Sequence, residues 1–158
     1  MLVYHPAFDL YHAVCRFLKL LYLTKDKSYA TEHIKLIDYF VVFPGEITKM
    51  QLPLEYRSYR KLFKVNPYED VYNGPIVFRQ LQGYQDSALQ AMSAYAFIDP
   101  LLYRKGEVKL SDKFFGEEID MLVSQPIENA VLAEFVNQVL LKMPYEGSIG
   151  LKERSKLF

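Results

Sequence analysis

Residues 4–23 read YHPAFDLYHAVCRFLKLLYL, and the periodicity of this stretch decides the fold class. Pro6 suits the first turn of a helix, where its missing N–H costs nothing, so the reading starts a helix at Pro6 and carries it to Leu23. Asp9, His12, Arg16 and Lys19 recur at spacings of three, four and three, one polar stripe on an otherwise apolar cylinder. A helix of that kind is expected to lie at the centre of a mainly α domain. Four charged or polar groups within the run also exclude a membrane span, because each charge near a bilayer centre costs roughly 2.5–3.5 kcal/mol.

Working outward, the spacing predicts a second helix from Thr31, read as an N-cap, to Phe43, where Pro44-Gly45 ends it. Its end, Tyr39-Phe40-Val41-Val42-Phe43, is apolar at consecutive positions and is expected to be buried or pressed on a partner. Residues 44–53 read as a loop and LEYRSYRKLFK (54–64) as a short basic helix. Val65 to Pro75 carries Asn-Pro and Asn-Gly-Pro breakers and reads as an irregular connection. Ile76 to Ile98 is broken by Gly83, and the reading favours two helices joined at Gln82-Gly83-Tyr84, with Asp86 capping the second.

Leu101–Arg104 and Glu107–Leu110 flank Lys105-Gly106 and suggest a β-hairpin. Helix, turn, helix and hairpin in that order give a single winged-helix-like domain over residues 1–158. A short helix at 116–124 and a clearer one from Pro126 to Met143, with Ile127, Val131, Phe135 and Val139 on one face, complete the expected elements.

The bulk properties narrow the function classes. Nineteen basic and nineteen acidic side chains cancel, so any nucleic-acid contact must be a local patch. A single cysteine, Cys15, rules out an internal disulfide and fits a reducing, cytoplasmic setting. No signal peptide is expected from the opening residues, which lack a basic n-region. Thirteen Tyr and eleven Phe exceed what a small core needs, and Tyr favours interfaces.

Chemical candidates are few. His5, Asp9 and His12 have metal-ligand chemistry, but one helix face rarely completes a site, and Asp9 and His12 continue into Arg16 and Lys19 as a polar edge. Cys15 lies one residue off that stripe, and no nucleophile elbow, P-loop or dinucleotide fingerprint occurs. The acids Glu117, Glu118 and Asp120 read as a solvated turn. No catalytic residue, cofactor, metal or small-molecule substrate is therefore expected. The position of a recognition helix, DSALQAMSAYAFI (86–98), has no basic residue and is suited to packing. Arg57, Arg60, Lys61 and Lys64, with Lys105 and its neighbours Arg104 and Lys109, form the candidate contact for DNA phosphates or an acidic partner. Asp9, His12, Arg16, Tyr39, Phe40 and Phe43 form the candidate partner interface.

YHPAFDLYHAVCRFLKLL (4–21), the expected hairpin and GSIGLKER (147–154) together resemble the middle components of ABC three-component systems, the group that includes Lamassu-type bacterial defence operons. That resemblance implies a small, non-enzymatic, often winged-helix-like subunit coupling an SMC-like ATPase, which senses foreign DNA, to an effector such as a nuclease. It also implies a few residues beyond Phe158 and carries over no active site. His5, Pro6, Ala7, Phe8, Asp9 and His12 match the opening motif, with a structural or interfacial role. A stand-alone winged-helix DNA-binding regulator is the alternative.

Overall fold

The computed structural model describes residues 5–63, 67, 70–112, 117, 120–121 and 127–158, and they form a mainly helical fold with one small antiparallel sheet. Helix α1 (Leu10–Tyr22) packs against α3 (Gly74–Ala94), and α2 (Thr31–Val42) touches both. Helix α4 (Pro100–Arg104), helix α5 (Ala130–Phe135) with its π-helical continuation Val136–Leu140, and helix α6 (Leu151–Ser155) surround them. The buried apolar residues of all six helices except α4 join one hydrophobic cluster.

Helix α1 starts four residues later than the proline suggested. Pro6–Phe8 is a separate 3-10 turn, and Asp9 then goes extended so that its carboxylate accepts from the His12 N–H at 3.0 Å. A carboxylate N-cap outcompetes proline as the start signal because it satisfies an otherwise unpaired backbone donor. The buried face is Ala13, Phe17, Leu18, Leu20 and Leu21, while Tyr11 is exposed.

The most enclosed helix is α2, not α1. Every residue from His33 to Phe40 is buried, including His33, Lys35 and Asp38. Three polar side chains on an all-buried helix hide its position from the hydropathy pattern, and each is compensated. Lys35 Nζ donates to Glu32 at 3.2 Å and to Asp86 of α3 at 2.8 Å. His33 Nε2 lies 3.1 Å from the Leu140 carbonyl, and because a carbonyl only accepts, the imidazole proton sits on Nε2. The expected cap at Thr31 is absent: Ala30 is the N-cap residue, and the Thr31 hydroxyl is buried without a partner.

Helix α3 runs unbroken through Gly83, so the expected break at 82–84 and the Asp86 cap are corrected. Phe78, Leu81, Gln85, Ala88, Leu89 and Met92 all face the core at helical spacing. That burial outweighs the roughly 0.5–1 kcal/mol cost of one glycine in a helix interior. Asn73 caps the helix by accepting from the Ile76 N–H.

The sheet is also built differently. Strand β1 (Tyr29–Ala30) pairs antiparallel with β2 (Glu107–Val108), in the register Tyr29 to Val108 and Ala30 to Glu107. Residues 101–104, read as the first hairpin strand, are α4 instead. Asp99 caps it by accepting from the Leu101 and Leu102 N–H groups, and Pro100 takes the first helical position. Gly106, at φ +84°, makes the left-handed exit that other residues resist. The helix break at 82–84 and the strand at 101–104 are thus absent, while an isolated antiparallel bridge joins Ile98 to Leu110 on either side of α4.

The basic stretch forms a 3-10 helix over Leu54–Leu62, after a shorter 3-10 turn at Pro44–Lys49 within the expected loop. Tyr59 and Phe63 pack their rings on Phe135 of α5. Helix α5 begins at Ala130 with Asn129 as its cap, and Leu132, Phe135, Val136, Val139 and Leu140 are its buried residues with the π turn. The start expected at Pro126 and most of the helix expected at 116–124 lie outside the described residues. Among the described residues no helix is long and apolar enough to cross a membrane.

Two stability measurements check these assignments. A Cβ added at Gly83 meets nothing within 4 Å, so Gly83→Ala is expected to stabilise the protein by about 0.5–1 kcal/mol in urea denaturation. A loop at 82–84 predicts no such gain. For His33, burial holds the imidazole below its ordinary value, with the hydrogen bond to Leu140 offsetting only part. The unfolded chain therefore binds this proton more readily than the folded one. Stability is expected to be complete above about pH 6.5 and to fall as pH drops below it, a slope that His33→Gln flattens.

Candidate functional site

A groove of about 450 Å³ runs along the polar stripe of α1. One wall is α1 itself, with His12, Cys15, Arg16, Lys19 and Leu20 at the i, i+3, i+4, i+7 and i+8 positions of one helix face. The end of α2 and the turn after it supply Val41, Val42 and Pro44, and the opposite wall is Ile127 to Leu132 at the start of α5. The floor is mostly apolar and the polar groups stand along its edges.

Behind the α1 wall lies a buried ionic joint. Arg16 Nε and Nη2 donate to the two carboxylate oxygens of Asp38 at 2.8 and 3.1 Å, a bidentate pair in which Asp38 is 1% exposed and Arg16 16%. Gln85 of α3 completes it by donating from Nε2 to Asp38 Oδ2 and to the Lys35 carbonyl, both at 2.9 Å. Arg16 Nη1 also reaches the Pro6 carbonyl at 3.3 Å, tying the opening 3-10 turn to the same point. One side chain thus holds α1 to α2, and a second holds α2 to α3.

The stripe residues are therefore occupied in different ways. Asp9 is the N-cap and its Oδ1 accepts from His12 Nδ1 at 3.0 Å. Arg16, expected to meet a partner, spends its guanidinium on Asp38. Lys19 lines the groove and makes no ion pair among the described residues, and the same holds for Glu128 on the opposite wall. Cys15, one residue off the stripe in sequence, is partly exposed on the groove wall. His5 points away from a shared ligand position, its Nδ1 accepting from the Ala7 N–H, and no three metal-ligating side chains converge among the described residues.

Of the aromatic candidates, Tyr39 and Phe40 are fully buried in the chain's own core and present no surface. Burial first, then the Glu46 charge beside it, holds the Tyr39 phenol well above its ordinary value. Phe43 is half-buried between the rings of Tyr39 and His5. In the basic turn, Arg57 and Lys61 are exposed. Arg60 is half-buried and donates to the Met50 carbonyl, a structural tie; Lys64 lies outside the described residues. Lys105 is exposed, next to Gly106, whose carbonyl accepts from the Thr31 N–H at the start of α2. The 54–62 turn instead packs on α5, so Lys105 and the turn are anchored to different helices.

A family model described as ABC-three component (ABC-3C) system Middle Component 5 matches residues 2–158. The chain belongs to that family. No curated protein and no solved structure matches it. The middle-component match spans α1 with its stripe, the groove walls and α6, so the opening motif and GSIGLKER both fall inside it. Membership in a system of several components implies protein partners.

Sequence reasoning missed Asp38, Gln85 and the 127–132 wall of the groove. Asp38 stands 22 residues and Gln85 69 residues from Arg16, and only an acid among the apolar residues of 36–42 signalled the first. Replacing Arg16 with Met strands the Asp38 carboxylate in the core. Arg16→Met is expected to cost about 3–5 kcal/mol in urea denaturation, and Arg16→Met/Asp38→Leu to regain much of that loss.

Proposed function

We propose that this middle component is a non-catalytic adaptor that couples an SMC-like ATPase to an effector nuclease in a Lamassu-type antiphage defence complex, in the cytoplasm. The observation that carries the reading is the family match across residues 2–158. The groove adds support. It offers a preformed apolar trench with charged edges and lacks the convergent polar groups that orient a small substrate.

In this reading the α1 side of the molecule is the partner face, through His12, Lys19 and the edge formed by Asp9 and Phe43. Arg16 serves as a positioning residue behind it. Arg57 and Lys61, with Lys105 elsewhere on the surface, supply sequence-independent phosphate contacts once the complex is assembled on DNA. Arg57 and Lys61 alone are too few charges for tight binding by the isolated chain, whose net charge is zero.

The test is reconstitution with the other two components encoded with this chain. The chain is expected to co-purify with at least one of them in stoichiometric amount. Arg57→Glu/Lys61→Glu is expected to leave assembly intact and to lower the slope of log affinity for DNA against log salt by about two. Tight, sequence-specific binding of a duplex by the isolated chain at physiological salt would contradict the adaptor reading.

A further inference from the structure

We infer that the groove along α1 receives a helical segment of a partner subunit that has an apolar face flanked by an acidic residue on one side and a basic residue on the other. The inference rests on the adaptor reading and deepens it by naming the docking site and the chemistry that fits it.

Length and shape suit a helix. The α1 wall from His12 to Leu20 spans nine residues, a rise of about 12 Å or two helical turns. A partner helix lying along it places side chains at i, i+3, i+4 and i+7 against the apolar lining residues Leu20, Val41, Val42, Ile127 and Leu132. Charge decides what flanks that face. Lys19 stands on the α1 wall and Glu128 on the α5 wall, and neither makes an ion pair among the described residues. Arg16 is neutralised by Asp38, and His12 is turned to Asp9. Among the described residues the groove lining thus carries one cation on α1 and one anion on the segment before α5, neither in an ion pair, which an apolar helix with a carboxylate on one flank and an ammonium or guanidinium on the other complements.

The wall is also preformed. The Arg16–Asp38–Gln85 joint holds α1 against α2 and α3, so docking needs no rearrangement of the helices that form it.

Cys15 makes the groove directly measurable, since it lines the wall and is the sole cysteine of the chain. The experiment compares the rate of Cys15 alkylation by N-ethylmaleimide in the full-length chain alone and after assembly with the two other components. Assembly is expected to slow the reaction at least about tenfold, as a buried interface excludes solvent and reagent. Lys19→Glu, checked for folding by its thermal melt, is expected to weaken the same assembly about tenfold, whereas Lys27→Glu in the turn after α1 leaves it unchanged. A benzophenone maleimide on Cys15 is then expected to crosslink to a component other than this chain.

The outcomes separate cleanly. If the complex assembles while Cys15 reacts at its free rate, the groove assignment is wrong and the adaptor reading stands. If protection comes with a crosslink of twice the chain's own mass, the occupant is a second copy and the inference is overturned. If neither component binds, the adaptor reading fails and takes the inference with it. Should Lys19→Glu not fold, the Cys15 rate and crosslink decide alone.

Discussion

The Arg16–Asp38 ion pair, with Gln85 closing its remaining side, is the constraint on which the rest of the arrangement depends. Removing both charges from water costs several kcal/mol per ion, and that cost is offset only when the geometry is good and the leftover lone pairs are used. Here the guanidinium meets the carboxylate through two parallel hydrogen bonds, and Gln85 takes a further position on Asp38. A pair this demanding is satisfied in one register of α1, α2 and α3. Hydrophobic contacts alone tolerate sliding by a turn, whereas three polar side chains from three helices do not.

That register places the rest of the stripe. With Arg16 turned inward to Asp38, Lys19 one turn on and Cys15 beside it stand at the groove wall. The ends of the same helices are tied separately. Asp9 caps α1, Lys35 joins α2 to α3 through Asp86, and His33 holds the π-helical turn through the Leu140 carbonyl. A π turn leaves backbone groups out of the regular ladder, and His33 supplies one of them with a donor. The result is a preformed trench whose Lys19 and Glu128 make no ion pair among the described residues, an arrangement that suits the proposed adaptor role.

Much of the fold class was legible in the chain. The helical spacing read over 6–23 and 31–43 and the Pro44-Gly45 stop point to a mainly α protein, and the opening motif points to the middle-component family. What could not be read has common physical causes. The enclosure of α2 is masked because Lys35 and Asp38 look like surface residues until their partners, Asp86, Arg16 and Gln85, are brought in from other helices. The unbroken α3 is masked because a local glycine signal is outweighed by tertiary burial of Gln85, Ala88 and Leu89. The hairpin was misplaced because the Asp99-Pro100 helix start outweighs the turn signal of Lys105-Gly106. The groove needed Ile127–Asn129 and Leu132 to line one cavity with α1, a juxtaposition no local pattern announces.

Hydrogen exchange on Asp38→Asn tests the central role of the joint most directly. This change keeps the shape of the side chain and removes the charge that Arg16 and Gln85 share. The account predicts that amides in 13–21 of α1, 34–40 of α2 and 81–89 of α3 lose protection together, as one cooperative unit. Loss confined to α2, with α1 and α3 exchanging as in the unmodified protein, would contradict it.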